Sequence, residues 1–180
     1  QLKVVVDEAA KHNLKVMVHA HGDEGARAAV EAGALSIEHG TYLSKETLTL
    51  MKAKGVYLVP TLITIEDLKI PGGEYSNPTL ELRGKFMMPE AENAVKNAIA
   101  LGVKIATGAD NDYSAESTTR ISLEAEHFVR LGMTHFQALQ SATKIAAELL
   151  GLEDKTGTIE VGKEADLDAF GESLVDRFGE

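Results

Sequence analysis

An α/β fold with a parallel sheet covered by helices is predicted by two features of this sequence. Helical patterns close on a glycine, and each is followed within a few residues by a short, near-continuous apolar run. Strands buried on both faces read this way, whereas a half-exposed antiparallel sheet would alternate apolar and polar residues. A third feature concerns chemistry: the apolar runs end in histidine or aspartate.

The chain opens in a helical pattern with Leu2, Val5, Val6 and Ala9 on one face. That pattern is already under way at Gln1, so the chain is expected to be a segment of a longer protein. Val16-Met17-Val18-His19-Ala20-His21-Gly22 comes next. Met17, His19 and His21 share one face of a strand, because side chains alternate with period two, and Gly22 lets the chain turn away. A helix over 24–32 closes at Gly33, and Ala34-Leu35-Ser36-Ile37-Glu38-His39-Gly40 is the second run, one βα unit later. A helix over 45–54 closes at Gly55 and leads into Val56 to Val59.

Between Ile65 and Pro89 the periodicity lapses into Pro71-Gly72-Gly73 and Asn77-Pro78. This stretch is expected to be irregular, either a lid or specificity loop over the strand ends or a plain insertion. A helix over 90–101 closes at Gly102 before Val103-Lys104-Ile105-Ala106-Thr107-Gly108-Ala109-Asp110, the fourth strand counted. Two further helical stretches follow. The second opens with Thr134-His135-Phe136-Gln137, a capping box, and runs through Leu139, Thr143, Ala146 and Leu150 to Gly151. Lys155 to Ile159 and Val161 to Leu167 then read as two short strands of a separate small β element.

Of 180 residues, 44% are hydrophobic, enough for one domain with a sizeable core. The 28 acidic residues against 18 basic ones leave a net charge of -10, which makes nucleic acid and anionic membranes poor partners. No apolar stretch reaches the ~20 residues of a membrane span, and no leader-like segment precedes Val4. There is no cysteine, so thiolate sites and disulfides are excluded and a bound metal must rely on His and carboxylate ligands. The compartment is left open, with a leaning to the cytoplasm.

His19, His39 and Asp110 end three of the strands, and ligands in α/β folds collect at that face. Two imidazoles and a carboxylate suit a divalent ion such as zinc, which activates a water and polarises a carbonyl. Asp110 is also able to accept a proton from that water. Each residue has an ordinary alternative: a histidine in an apolar run as a hydrogen-bonded core residue, an aspartate after a strand as a helix N-cap.

Val18-His19-Ala20-His21-Gly22, Ser36-Ile37-Glu38-His39-Gly40, Pro60-Thr61, Thr107-Gly108-Ala109-Asp110, Leu149-Leu150-Gly151-Leu152 and Gly162-Lys163-Glu164-Ala165-Asp166-Leu167 together resemble the amidohydrolase superfamily. The nearest branch holds prolidase-like and carboxypeptidase-like metallopeptidases and imidazolonepropionases. The resemblance runs from about Lys15 to Leu167 and covers the later half of a family member. It implies the C-terminal half of a (β/α)₈ TIM-type barrel over residues 1–150, and part of a small β-sandwich over 151–180. It further implies one or two divalent metals, with His19 and His39 as ligands from the fifth and sixth strands and Asp110 as the eighth-strand aspartate that activates water. His21 would lie behind the metal or face the substrate, with a structural role as the alternative. The reaction implied is hydrolysis of a peptide or amide C–N bond, as in a dipeptidase or carboxypeptidase, with a cyclic amide of the imidazolone type as the other substrate class.

Two departures stand against the family pattern. The His-x-His of the first strand and the bridging lysine of the fourth have no counterpart here, which leaves a non-catalytic half-barrel as a rival expectation. Asp168 interrupts what is usually an apolar strand. Gly22 occupies the place of the glutamate that shuttles protons in deaminase-like relatives, which disfavours deamination. Tyr42 is placed to meet a substrate carboxylate or to pack at the surface. Arg120 is read as a solvated helix start rather than an anion partner, and His12, His127 and His135 are given no chemistry. Four strands cannot close a barrel, so the open sheet is expected to pair with a second copy or with the missing half.

Overall fold

The structure, a computed structural model, describes residues 1–71, 77–110 and 120–165. Helix α1 (Leu2–Lys11) leads to strand β1 (Met17–Ala20), and α2 (Asp23–Ala32) to β2 (Ser36–His39). Helix α3 (Lys45–Lys54) precedes β3 (Tyr57–Val59), which is followed by α4 (Leu62–Leu68) and α5 (Pro78–Leu101). Helices α6 (Arg120–Arg130), α7 (His135–Ala142) and α8 (Lys144–Leu150) complete the described chain.

The strands form one parallel sheet in the order β1-β2-β3, with His19 opposite Glu38 and Ala20 opposite His39. The alternation of helix and strand is what forces the parallel arrangement, since each helix carries the chain back to the same end. Gly33, Gly55 and Gly102 cap α2, α3 and α5 in the left-handed conformation, as expected. Thr134 and Gln137 form the expected capping box of α7.

The sheet sorts its two faces by residue type. Ile37 and Leu58 lie against the helices in a core shared with Val30, Leu48, Met51, Val95, Ala98 and Phe128. Tyr57, Val59 and Ala106 lie on the other face with Leu149. There Lys104 Nζ bonds the Tyr57 hydroxyl at 3.2 Å and Glu148 Oε2 at 2.6 Å.

Three expectations are corrected. The fourth run joins the sheet only through a parallel bridge between Leu58 and Ile105. Beyond Ala106 the chain leaves β3, because the Thr107 N–H donates to the Ser141 carbonyl at the end of α7 instead. Secondly, most of the described stretch between Ile65 and Pro89 is helical. Asn77 caps α5 through Thr79 N–H, Pro78 occupies its first turn, and Pro89 lies inside it. Burial of Met87, Met88 and Ala91 holds the helix through the proline, whose cost in an isolated helix is about 3 kcal/mol. Thirdly, Lys155–Glu164 makes turns and bends, with Glu164 N–H donating to the Lys155 carbonyl and Lys163 N–H to the Glu160 carbonyl. Ile159 and Val161 stand exposed there, and a lone pair of short strands has no face to bury. The expected helix α1 forms, with its apolar face only partly covered: Val6 approaches Gly33, but Leu2 and Val5 are exposed.

Candidate metal centre

The C-terminal ends of β1 and β2 bring three imidazoles together. The ring centroids of His19 and His39 are 4.5 Å apart, those of His21 and His39 4.8 Å, and those of His19 and His21 4.9 Å. One ligand atom from each lies within 4.8 Å of the others. This is a set that could hold a metal ion.

Simple alternation does not produce it. His19 pairs with Glu38, and His39 pairs with Ala20, so a continued strand would send His39 to the face opposite His19 and His21. The chain avoids this by a tight turn. Gly40 N–H bonds the Glu38 carbonyl at 3.0 Å with His39 between them at φ +68, the hydrogen bond and φ of the rarer, strained γ-turn. Gly40 itself is at φ +58, and a Cβ there would lie 2.7 Å from the terminal methyls of both Leu43 and Leu58. A larger residue would strain this φ and displace both methyls.

Threonine hydroxyls fix two of the rings. His39 Nδ1 is 2.6 Å from Thr61 Oγ1, and His21 Nδ1 is 2.8 Å from Thr41 Oγ1. Both threonines are buried. A ring that donates Nδ1–H to such an oxygen presents an unprotonated Nε2, the form that metals take. Electrostatics agree with this. Burial, aided by the neighbouring His21 and His19 rings, pulls the His39 pKa down to about 4, so its ring is neutral at pH 7. His21 is also lowered, by burial first and then by His19 and the Arg83 cation.

Asp110 stands outside the close set of imidazoles and is exposed. Its charge reaches the site nonetheless: it favours the protonated forms of His21 and His39 and adds to the burial that raises the Glu38 pKa. Glu38, beside His39 on β2, is held by the Ser36 hydroxyl at 2.5 Å. Tyr42 is exposed at the rim, its N–H bonded to the His21 carbonyl.

Backbone strain marks the same place. Among the described residues, the non-glycine positions with positive φ are Asn13, His39, Thr61 and Asp110, and three of these four border the site. Arg120, expected to be solvated, is instead bound on three sides and only 14% exposed: its Nε donates to the Ala109 carbonyl at 3.0 Å, and its Nη atoms pair with Asp67 and Thr64. Residue type alone does not single out Thr41, Thr61 or Glu124 as functional. Pro60-Thr61 is one of the resembling motifs, but nothing in the spacing of Glu124 ties it to a position some sixty residues earlier.

Comparison with known proteins places this geometry. A family model described as "Amidohydrolase family" matches residues 1–175. Ochratoxinase of Aspergillus niger is 34% identical over 174 residues, covering 96% of this chain and 36% of that protein. Its crystal structure superposes with a TM-score of 0.84 at 35% identity, over 98% of this chain and 40% of that one. The crystal structure of a Xaa-Pro dipeptidase with methionine bound in the active site gives a TM-score of 0.80 at 37% identity, over 91% of this chain and 40% of that one. Imidazolonepropionase of Brucella anthropi is 31% identical over 167 residues, 91% of this chain and 36% of that protein. The chain therefore spans 36% to 40% of the length of these relatives. The solved structures it resembles are amidohydrolase TIM barrels, of which it covers a part.

Proposed function

This chain belongs to the amidohydrolase family, whose members are hydrolases, and from that premise we propose that it contributes the metal-holding and proton-transferring part of an enzyme that cleaves a peptide or amide C–N bond. The observation that carries this reading is the trio of His19, His21 and His39 at the mouth of a parallel sheet. The donor set fits a divalent ion, zinc being the one proposed, because all the available ligands are neutral nitrogen or carboxylate oxygen. Such an ion supplies Lewis-acid polarisation of the carbonyl and a water of lowered pKa. His19 and His39 serve as ligands. Asp110 is the carboxylate that completes the set, takes the proton from the attacking water and passes it to the leaving amine. Tyr42, at the rim, is placed to hydrogen-bond a substrate carboxylate.

His21 is either a third imidazole ligand or a contact to substrate, and His21→Ala separates the two. Lost zinc marks a ligand, whereas retained zinc with a raised KM marks a substrate contact. The likeness to a Xaa-Pro dipeptidase supports a dipeptide or C-terminal peptide substrate. The likeness to imidazolonepropionase supports a cyclic amide as the second reading. The test is zinc analysis and a product assay on the longest natural protein that carries this sequence. Release of a free amino acid from a dipeptide panel supports the first reading, a ring-opened acid the second, and no zinc and no product from any substrate the inert half-barrel.

Among the described residues no strand pairs with the outer edge of β1, and Met17 on it is 58% exposed, as are Leu2, Val4 and Val5 of the adjoining α1 in varying degree. An open edge with apolar neighbours supports association there, with a second copy or with further chain of the same protein. Residues 151–180 are proposed to join a small β-sandwich; those from Asp166 lie outside the described residues.

A further inference from the structure

Helix α6 carries two charged side chains one turn apart, Arg120 and Glu124, that the reaction outlined above does not use. Glu124 is 0% exposed, and its two oxygens accept the Leu62 and Ile63 N–H groups, each at 3.0 Å. Those are the first two amides of α4, among the unpaired donors of a helix start, of which an N-cap side chain normally satisfies one. The N-cap here is Thr61, and it makes no capping bond. Its hydroxyl is committed to His39 instead. Glu124 thus takes over the capping of α4 and leaves the threonine free to orient a histidine.

Arg120 does the equivalent at the other turn. Its Nε holds the carbonyl of Ala109, the residue before Asp110, while its other nitrogens tie that grip to Asp67 and Thr64 on α4. The two turns also abut: a Cβ on Gly108 would lie 2.9 Å from Thr61 Cγ2 and 2.5 Å from Val59 Cγ1. Thr61 at φ +50 and Asp110 at φ +44 would both relax towards ordinary backbone if released. Phe128, fully buried a further turn along α6, anchors the helix in the core.

We propose that Arg120 and Glu124 are positioning residues, through which α6 clamps two strained turns: that of Thr61, whose hydroxyl orients the His39 ring, and that of Asp110 beside the imidazoles. The proposal rests on the metal-centre reading above and adds residues to it. A buried carboxylate is costly to keep, and an apolar side chain would pack more cheaply unless these amides needed a strong acceptor.

The test uses the longest natural protein that carries this sequence, with Glu124→Gln, Thr61→Val, their double variant and Arg120→Gln. Zinc affinity is measured by competition with a chromophoric chelator, the His39 ring nitrogens by NMR in the metal-free protein, and thermal stability alongside. Glu124→Gln and Thr61→Val are each expected to weaken zinc about tenfold and to move the His39 Nδ1 resonance. The double variant is expected to be no weaker than Thr61→Val alone, because both act through one link. Arg120→Gln, which loosens the turn of a proposed ligand, is expected to weaken zinc several-fold and to lower kcat about tenfold with KM unchanged. A merely structural role lowers the melting temperature of Glu124→Gln while zinc affinity and the His39 resonance stay at wild-type values, and that result overturns the proposal. Should Glu124→Gln not fold, Arg120→Gln decides, and an unchanged kcat overturns it. Wild-type protein that binds no zinc defeats the metal-centre reading, while the His39 resonance still tests the clamp.

Discussion

The two ends of the sheet handle left-handed backbone in opposite ways. At the end where the strands begin, positive φ falls on Gly33, Gly55 and Gly102, each closing a helix in the conformation that glycine adopts without cost, and also on Asn13, a residue type that tolerates it. Where the strands end, it falls on His39, Thr61 and Asp110 as well as on Gly40. A non-glycine residue there costs roughly 1–2 kcal/mol. One end is built for stability, and the other keeps strain where side chains of a given chemistry are needed. The difference supports the proposed site at that end independently of any relative.

The sharpest way to break the contrast is to remove a ligand. His19→Ala and His39→Ala are each expected to cost about a thousandfold in zinc affinity, roughly 4 kcal/mol, one ligand's share of a typical zinc site. Competition titration checks this, and unaltered affinity would show that strain at this end serves something other than a metal. Next in size is the comparison of two glycines. Gly40→Ala combines a left-handed φ with close contact to Leu43 and Leu58, and should destabilise by roughly 3 kcal/mol in denaturant unfolding. Gly55→Ala, with nothing within 4 Å of the added Cβ, should cost only about 1 kcal/mol.

Glu124 offers a pH test of similar order. Burial raises its pKa to about 7 from 4.5, against the opposing pull of the Leu62, Ile63 and Thr61 amides and of Arg120. The folded state therefore holds a proton that the unfolded state has released between pH 4.5 and about 7. Stability carried by this group falls as pH rises through that window, by on the order of 3 kcal/mol in all. Melting curves of the wild type should show this slope, and those of Glu124→Gln should have lost it. The smallest effect expected is a gain. His39→Gly removes the ring but also the backbone strain, and should be about 1 kcal/mol more stable than His39→Ala in the same unfolding assay.

Short-range signals carried most of the architecture. The capping glycines, the Thr134 capping box and the apolar runs act over a few residues, so α2, α3, α7 and the parallel strands were legible directly. The passage through Pro89 was not, because its helix is held by burial of Met87, Met88 and Ala91 rather than by its own propensity. The same division runs through the site. His19 and His21 share a face by period two, and that much needs only the sequence. Period two also assigns Glu38, not His39, to the face of His19, and the ring joins its partners only because the turn at Gly40 overrides the alternation.

The sequence by itself determined the order of helices and strands and the identity of the side chains that end each strand, since both follow from local patterns. Which of those side chains meet, how Thr61 is freed to hold His39, and which helix secures the two strained turns were decided only by the tertiary structure. The reason is that those contacts join residues twenty to sixty positions apart, and only the packing of buried helices against the sheet sets such distances.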